Sequence, residues 1–414
     1  MIGFFEKPIT MKITGFFLLQ LICMQLCAQP QPAPKNVFII TTDGLRWQEV
    51  FNGADKSVIT DTEFVKDTAL TKEMYWAESP QERRKKLMPF FWSTIAAKGQ
   101  LHGNRSYNNK VDVSNPYKIS YPGYNEILTG FADPFVITNK PNKNKNENLL
   151  EFLNKKQAYH NSVVAFSSWN VFPYILNEER SQVPVNSGYE LLKEEGPVFE
   201  KINEVQDSIT IKEGTRYDLL TFLHAKEYIQ KNHPKVMMLG LGETDEFGHK
   251  GQYDNYLQQA NNVDKMIAEL WYFVQTDPFY KNNTIFIITT DHGRGSKPSK
   301  WHSHSMLLKG SGETWLAMIG PGINALGEMT ANTQIWQKQI AATVAELLNQ
   351  EFVANHPVAA AFTIPVHANE RQMNIASLGL SFDILYSSEG IMGIIIFLLM
   401  IKLFRQKKKL VLQQ

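Results

Sequence analysis

Five short runs of apolar, largely β-branched residues punctuate the chain: Val37 to Thr42, Val163 to Phe166, Val236 to Leu241, Thr284 to Thr290 and Trp315 to Ile319. Each ends in a polar or glycine-containing turn, and runs of that length read as buried strands. Between them the spacing becomes helical. Tyr256 to Val274 puts Ala260, Val263, Ile267, Leu270 and Phe273 on one stripe. Ile335 to Leu348 does the same with Ile340, Val344 and Leu347 or Leu348. Strands alternating with helices predict an α/β layered domain with a largely parallel central sheet flanked by helices. The pattern weakens over about 167–214, where polar residues dominate. This stretch is either a cap inserted over a site or a long surface excursion. No internal repeat and no second domain boundary is legible.

The two ends read differently. Lys7 and Lys12 lead into an apolar run from Ile13 to Cys23, and Ala28 precedes a polar, proline-rich stretch. That order predicts a secretory signal peptide cut near Ala28. At the other end an uninterrupted apolar run, 390–401, is followed by Lys402, Arg405 and Lys407 to Lys409. The run is short for a span of about 20 residues, but Leu403 and Phe404 extend it if Lys402 snorkels. A spanning helix would keep the basic cluster in the cytoplasm and leave the body periplasmic or extracellular, where a signal peptide would deliver it. The expected organisation is a signal peptide over 1–28, one catalytic domain over 29–386 and a transmembrane anchor with a basic tail over 387–414.

Composition narrows the function. The chain has 414 residues, 43% of them hydrophobic, enough for a large core. The formal net charge is +1, but the two ends are basic, and the body between them holds 35 basic and 39 acidic groups. A mildly acidic body argues against a nucleic-acid polymer as partner. Both cysteines, Cys23 and Cys27, lie in the N-terminal segment. A protein shorn of it has no thiol for a disulfide, a zinc thiolate or a nucleophile. Any metal must then be held by Asp, Glu, His or hydroxyl groups.

Three predicted strands run into acidic residues: Asp43-Gly44; Asp245-Glu-Phe-Gly-His249; and Asp291-His292-Gly293. In open α/β sheets, ligands bind beyond the carboxyl ends of the strands, so these residues can converge on one crevice. Gathered carboxylates and imidazoles repel one another unless positive charge sits between them, and divalent metals meet that need.

The order and spacing of these motifs resemble the alkaline phosphatase superfamily, most closely its nucleotide pyrophosphatase/phosphodiesterase and phosphoglyceromutase-like members. The resemblance runs from about Asn36 to Leu348. It includes a loop, Ser120-Tyr-Pro-Gly-Tyr-Asn-Glu-Ile-Leu-Thr-Gly130, similar to the family's nucleophile loop. It implies that Asp43, Ser120, Asp291 and His292 bind one metal, and that Asp245, His249 and a later histidine bind another. Trp301-His-Ser-His304 points to His304 rather than His302. Two divalent ions, zinc by preference with manganese as the alternative, would make Ser120 a nucleophile toward a small phosphate ester through a phosphoserine intermediate.

The chain departs from the sulfatase branch, because Ser120-Tyr-Pro-Gly-Tyr has no arginine at the needed place. For the phosphate-orienting asparagine of the phosphodiesterase branch, Asn139, Asn142 and Asn144 are all candidates. For the cation of the monoesterase branch, Lys118, Arg46 and Arg294 lie near the motifs. A mutase or phosphotransferase, a sulfatase-like hydrolase and a catalytically degenerate membrane-tethered binding protein are the rival readings.

Overall fold

The computed structural model describes residues 36–365. The expected signal peptide and C-terminal anchor lie outside the described residues. Among the described residues, no helix is long and apolar enough to cross a membrane.

The apolar runs form the strands expected of them. In chain order the strands are β1 (Asn36–Thr42), β2 (Gly99–His102), β3 (Lys110–Asp112), β4 (Val163–Ser167), β5 (Val185–Ser187) and β6 (Val236–Leu241). After these come β7 (Thr284–Thr289), β8 (Glu313–Thr314), β9 (Leu316–Ile319), β10 (Gly327–Glu328) and β11 (Gln334–Trp336). Eight of them make one sheet in the order β10-β2-β9-β7-β1-β6-β4-β5, and β11-β3-β8 make a small second sheet. From β7 across to β5 all neighbours pair in parallel. β9 runs antiparallel to both β7 and β2. The largely parallel sheet is therefore present, with one reversed strand where the chain returns from the last motif.

Side chains of β1, β6 and β7 are buried on both faces, as a parallel sheet between helical layers requires. Alternate residues divide between two cores. Phe38 and Ile40 face one, with Leu257, Ala260 and Val263, whereas Val37 and Ile39 face the other, with Tyr124, Ile127 and Leu128.

Five helices matter for the site: α1 (Ser120–Thr129), α2 (Asp218–Asn232), α3 (Glu243–His249), α4 (Tyr253–Thr276) and α5 (Ile340–Leu347). The stripe read on Tyr256 to Val274 is the buried face of α4. The helix read over Ile335 to Leu348 is shorter than expected. Ile335 belongs to β11, residues Gln337–Gln339 form a 3-10 turn, and only then does α5 begin. Ile335 is buried because its strand pairs with β3, so a helical spacing arose by chance across a strand-to-helix junction.

The polar stretch after Ser167 contributes β5, the edge strand, which pairs with β4. It then forms a helix over Pro197–Ser208 and returns to the sheet's carboxyl edge, where Trp169 and Thr215 form an antiparallel bridge. Buried Asp218 locks that return. It accepts from Ser168 Oγ at 2.5 Å, from the amides of Gly242 and Glu243 at 2.7 and 3.1 Å, and from Gln259 Nε2 at 2.7 Å.

Candidate metal centre

β1, β6 and β7 end side by side, and each delivers one motif beyond its last paired residue. Asp43 follows β1, α3 follows β6 with Asp245 and His249, and Asp291-His292 follows β7. The adjacency of the three strands thus converts a sequence separation of some 250 residues into one cluster. α1 brings Ser120 to the same place. Gly123 lets it approach, because a Cβ there would lie 2.4 Å from the carbonyl oxygen of Asp291. Glu126, fully buried in α1, accepts from the amides of Ser114, Asn115 and Lys338 and from Asn115 Nδ2. One carboxylate therefore anchors the Ser120 helix to two flanking loops.

Ser120 Oγ lies 3.3 Å from His292 Nε2 and donates to Asp43 Oδ1 at 3.5 Å. Tyr124, one turn on, donates from its hydroxyl to Asp43 Oδ2 at 3.2 Å. His292 Nε2 is also 3.3 Å from Asp43 Oδ1, 3.4 Å from Asp291 Oδ2 and 3.8 Å from Asp245 Oδ1. His249 Nε2 is 3.1 Å from Asp245 Oδ2 and 3.0 Å from His304 Nε2. The His249 side chain is 53% exposed, whereas that of His304 is 5% exposed, so the cluster opens to solvent on the His249 side. All seven residues singled out in the sequence meet here. The division between them differs from expectation in two respects, the first being that His249 joins neither close group. Ligand atoms of Asp43, Asp291 and His292 lie within 4.8 Å of one another, and so do those of Asp245, His292 and His304. His292 stands between the two groups instead of belonging to the first alone.

The ring of His302 points elsewhere, packing against Phe64 at 5.6 Å between centroids, with Nδ1 3.1 Å from Ser303 Oγ. Of the three asparagines, Asn139 touches the nucleophile turn: its Oδ1 accepts the Tyr121 amide at 2.9 Å. Asn142 offers only its carbonyl, to the Tyr121 hydroxyl. Asn144 is buried against Asn125.

The donor set fits divalent cations. His292 Nδ1 is 3.0 Å from the Gly293 carbonyl and His304 Nδ1 is 3.0 Å from the Lys118 carbonyl. A carbonyl can only accept, so each Nδ1 carries a hydrogen, and in the neutral ring each Nε2 keeps a lone pair. Those lone pairs face carboxylate oxygens and, at His249, another imidazole nitrogen. Such an array is repulsive unless a cation sits among it. Asp291 Oδ2 adds a second sign, being buried with no hydrogen-bond partner. The crowded carboxylates and imidazoles also perturb one another's protonation. Burial, then Asp291 and Asp245, push the Asp43 carboxyl well above its usual range. Burial opposes a charge on His292, but Asp291, Asp43 and Asp245 raise it to about 9. His304 is driven down by burial and by His292.

Two of the candidate cations near the motifs have parts in the site that the sequence does not reveal. Lys118 adopts a left-handed backbone, φ 55°, which no sequence signal marks, and its carbonyl fixes the His304 tautomer. From the sequence Arg294 is only a candidate cation near a motif. It is in fact buried and ion-paired with Asp245.

Residues 199–308 match the sequence model of the Metalloenzyme superfamily. The matched segment holds Asp245, His249, Asp291, His292 and His304. No curated protein matches the chain. Among solved structures, a variant of the alkaline phosphatase PafA is similar at 11% identity, covering 80% of this chain and 99% of that one, with a TM-score of 0.54. Wild-type PafA gives 0.50 at 11% identity with the same coverage. BT4656, solved with its substrate D-glucosamine-2-N,6-O-disulfate, gives 0.50 at 13% identity and covers 82% of this chain and 81% of that one. At such identities these likenesses show a shared fold.

Proposed function

We propose that this chain, whose fold and metalloenzyme match support an alkaline-phosphatase-like superfamily, is a metal-dependent hydrolase of phosphate esters that uses Ser120 as its nucleophile. The observation that carries this reading is the 3.3 Å approach of Ser120 Oγ to His292 Nε2, beside a buried carboxylate oxygen of Asp291 with no hydrogen-bond partner. Asp43, Ser120, Asp291 and His292 would hold one divalent cation, and Asp245, His249 and His304 the other, with His292 near both. Mixed carboxylate and imidazole donors favour zinc, with manganese as the alternative. Bound there, the cations supply the positive charge that lets a serine hydroxyl ionise near neutral pH and offset charge on the phosphate.

The chain's own residues do the rest. Ser120 is held in the first turn of α1, and Glu126 fixes that helix. Attack of Oγ on phosphorus expels one alcohol and leaves the phosphoryl group, with any second ester group still attached, on Ser120, and water then cleaves the Ser120 oxygen–phosphorus bond. Asn139 Oδ1 is taken by the Tyr121 amide, which leaves its NH₂ group to donate to a phosphate oxygen.

A diester is the better substrate. A monoester dianion carries an extra charge that calls for a free cation, and two of the three candidates are spent on carboxylates while the third, Lys118, is held by a carbonyl. Arg46 is paired with Glu49, Arg294 with Asp245, and Lys118 Nζ donates to the Met306 carbonyl at 3.2 Å. The flank of Tyr124 is aromatic instead, with Trp169 6.4 Å away between ring centroids. We further propose that the enzyme works outside the cytoplasm, anchored to the membrane by its C-terminal segment. Chromogenic phosphodiesters, phosphomonoesters and sulfate esters assayed side by side, with zinc and with manganese, test the reaction. Diester hydrolysis should be fastest. Activity on sulfate esters alone would replace phosphoryl by sulfuryl transfer, the class of substrate named for BT4656.

A further inference from the structure

Arg294 is a guanidinium sealed inside the site. It is 1% exposed and reaches two loops and the helix α3. Its Nε donates to the Gly44 carbonyl at 3.1 Å, its NH1 to the His302 carbonyl at 2.5 Å, and its NH2 to both the carbonyl, at 3.0 Å, and the Oδ1 of Asp245. The chain makes room for it. A Cβ on Gly248 would lie 2.5 Å from the guanidinium carbon, so the glycine within Asp245-Glu-Phe-Gly-His249 is the opening through which the arginine passes. The Gly44 peptide has a second use, because its N–H donates to Asp291 Oδ1 at 3.1 Å. A continuous path therefore joins the two halves of the cluster. Asp291 is held by the Gly44 N–H, Arg294 by the Gly44 carbonyl, and Arg294 holds Asp245. The His302 carbonyl brings in the loop that carries His304.

We propose that Arg294 is the positioning residue that registers the Asp245, His249 and His304 group against the Asp43, Asp291 and His292 group. This inference rests on the two-metal reading above. Its charge is spent on Asp245, so it contributes geometry and not a substrate contact. Buried, bidentate-capable guanidinium suits that role, since it fixes direction as well as distance. The consequence is selective. Removing it should loosen Asp245 and the His304 loop while the first group, anchored by β1, β7 and the Gly44 amide, keeps its shape.

The test is metal binding by the full-length chain, purified in detergent, stripped of metal and titrated with zinc against a chromophoric chelator. The native chain should show two sites. Arg294→Met should weaken one of them by about 10- to 100-fold, the range for residues that orient metal ligands, and leave the other within about twofold. Arg294→Lys, which keeps the charge but not the fork of donors, should recover part of the loss. Gly248→Ala, which crowds the guanidinium without removing it, should reproduce the selective loss and decides the matter if Arg294→Met does not fold. Two unchanged sites in folded variants, or equal weakening of both, would overturn the inference and leave the hydrolase reading standing. A native chain that binds no metal would overturn both.

Discussion

His292 and His304 stack face to face, with ring centroids 3.8 Å apart and planes inclined by 16°. The stack joins the loop after β7 to the loop beginning at Trp301, and it places two imidazoles of fixed tautomer side by side. His302, two residues earlier, shares the loop but not the stack.

That difference separates two neighbouring substitutions. His304→Ala removes a nitrogen that faces Asp245 and His249, and it should lower zinc affinity and turnover by at least tenfold. His302→Ala removes a ring that packs on Phe64, and it should leave metal content and most activity in place, because the contact Arg294 uses is the His302 backbone carbonyl. Metal content by elemental analysis, beside turnover, checks both. Loss of metal in His302→Ala with retention in His304→Ala would reverse the assignment.

Glu126 should prove structural and catalytic at once. Glu126→Ala leaves the donors of Ser114, Asn115 and Lys338 without their acceptor in a buried site. Each unsatisfied group costs about 1–3 kcal/mol, and partial relaxation suggests a total loss of about 3 kcal/mol or more. Urea unfolding measures it. Because α1 carries Ser120 from its first turn, turnover in the folded fraction should also fall. A variant with native stability would show that these hydrogen bonds are replaced by water.

His102 should give the fold an acid limit remote from the metal centre. It is buried in β2, its Nε2 lies 3.2 Å from Gln100 Oε1, and its Nδ1 has no partner. Burial lowers its pKa to about 4 from an ordinary 6.5. The folded state therefore favours the neutral ring, and the unfolded chain binds the proton first. The contribution is fully present above about pH 6.5 and is lost as pH falls toward 4, a change of roughly 3 kcal/mol. His102→Leu should flatten the stability profile across that window. Urea midpoints measured at intervals from pH 7 to pH 4, on metal-free protein, supply the comparison. Parallel profiles for the two proteins would contradict it.

The fold was legible where strands are long and buried on both faces, because continuous apolar runs survive without tertiary information. β1, β4, β6 and β7 fall within one or two residues of the expected runs. The two- and three-residue strands β3, β5, β8, β10 and β11 left no pattern, since so few residues carry no period. β9 was visible as a strand, but its reversal was not, since direction depends on the loops between 290 and 315. The site was legible in its ligands, which stand at strand ends in short motifs. Its supports were not. Arg294 reads as an ordinary charge after Asp291-His292-Gly293 until Gly44, Asp245 and His302 are known to surround it. The part played by Glu126 likewise depends on Asn115 and Lys338, 11 and 212 positions away.

Ser120 should become transiently phosphorylated. Its Oγ lies 3.3 Å from His292 Nε2, and Asp43 receives its hydrogen bond. Tyr124 also contacts Asp43, but its hydroxyl is pushed far above its normal range by burial and by Asp43 and Asp291, so it is a poor source of an oxyanion. Ser120→Ala should cut turnover by several orders of magnitude without necessarily abolishing it, because a bound water can still attack. Ser120→Thr keeps the oxygen and adds one methyl group, and it should retain part of the activity. Rapid quenching with a phosphodiester, followed by peptide mass analysis, should find the phosphoryl group, still carrying the second ester group, on the peptide that contains Ser120. Stereochemistry provides an independent reading. Two successive in-line displacements retain configuration at phosphorus, whereas direct attack by water inverts it. Inversion, or near-native turnover in Ser120→Ala, would remove Ser120 from the mechanism and leave the carboxylates and histidines as a centre that activates water directly.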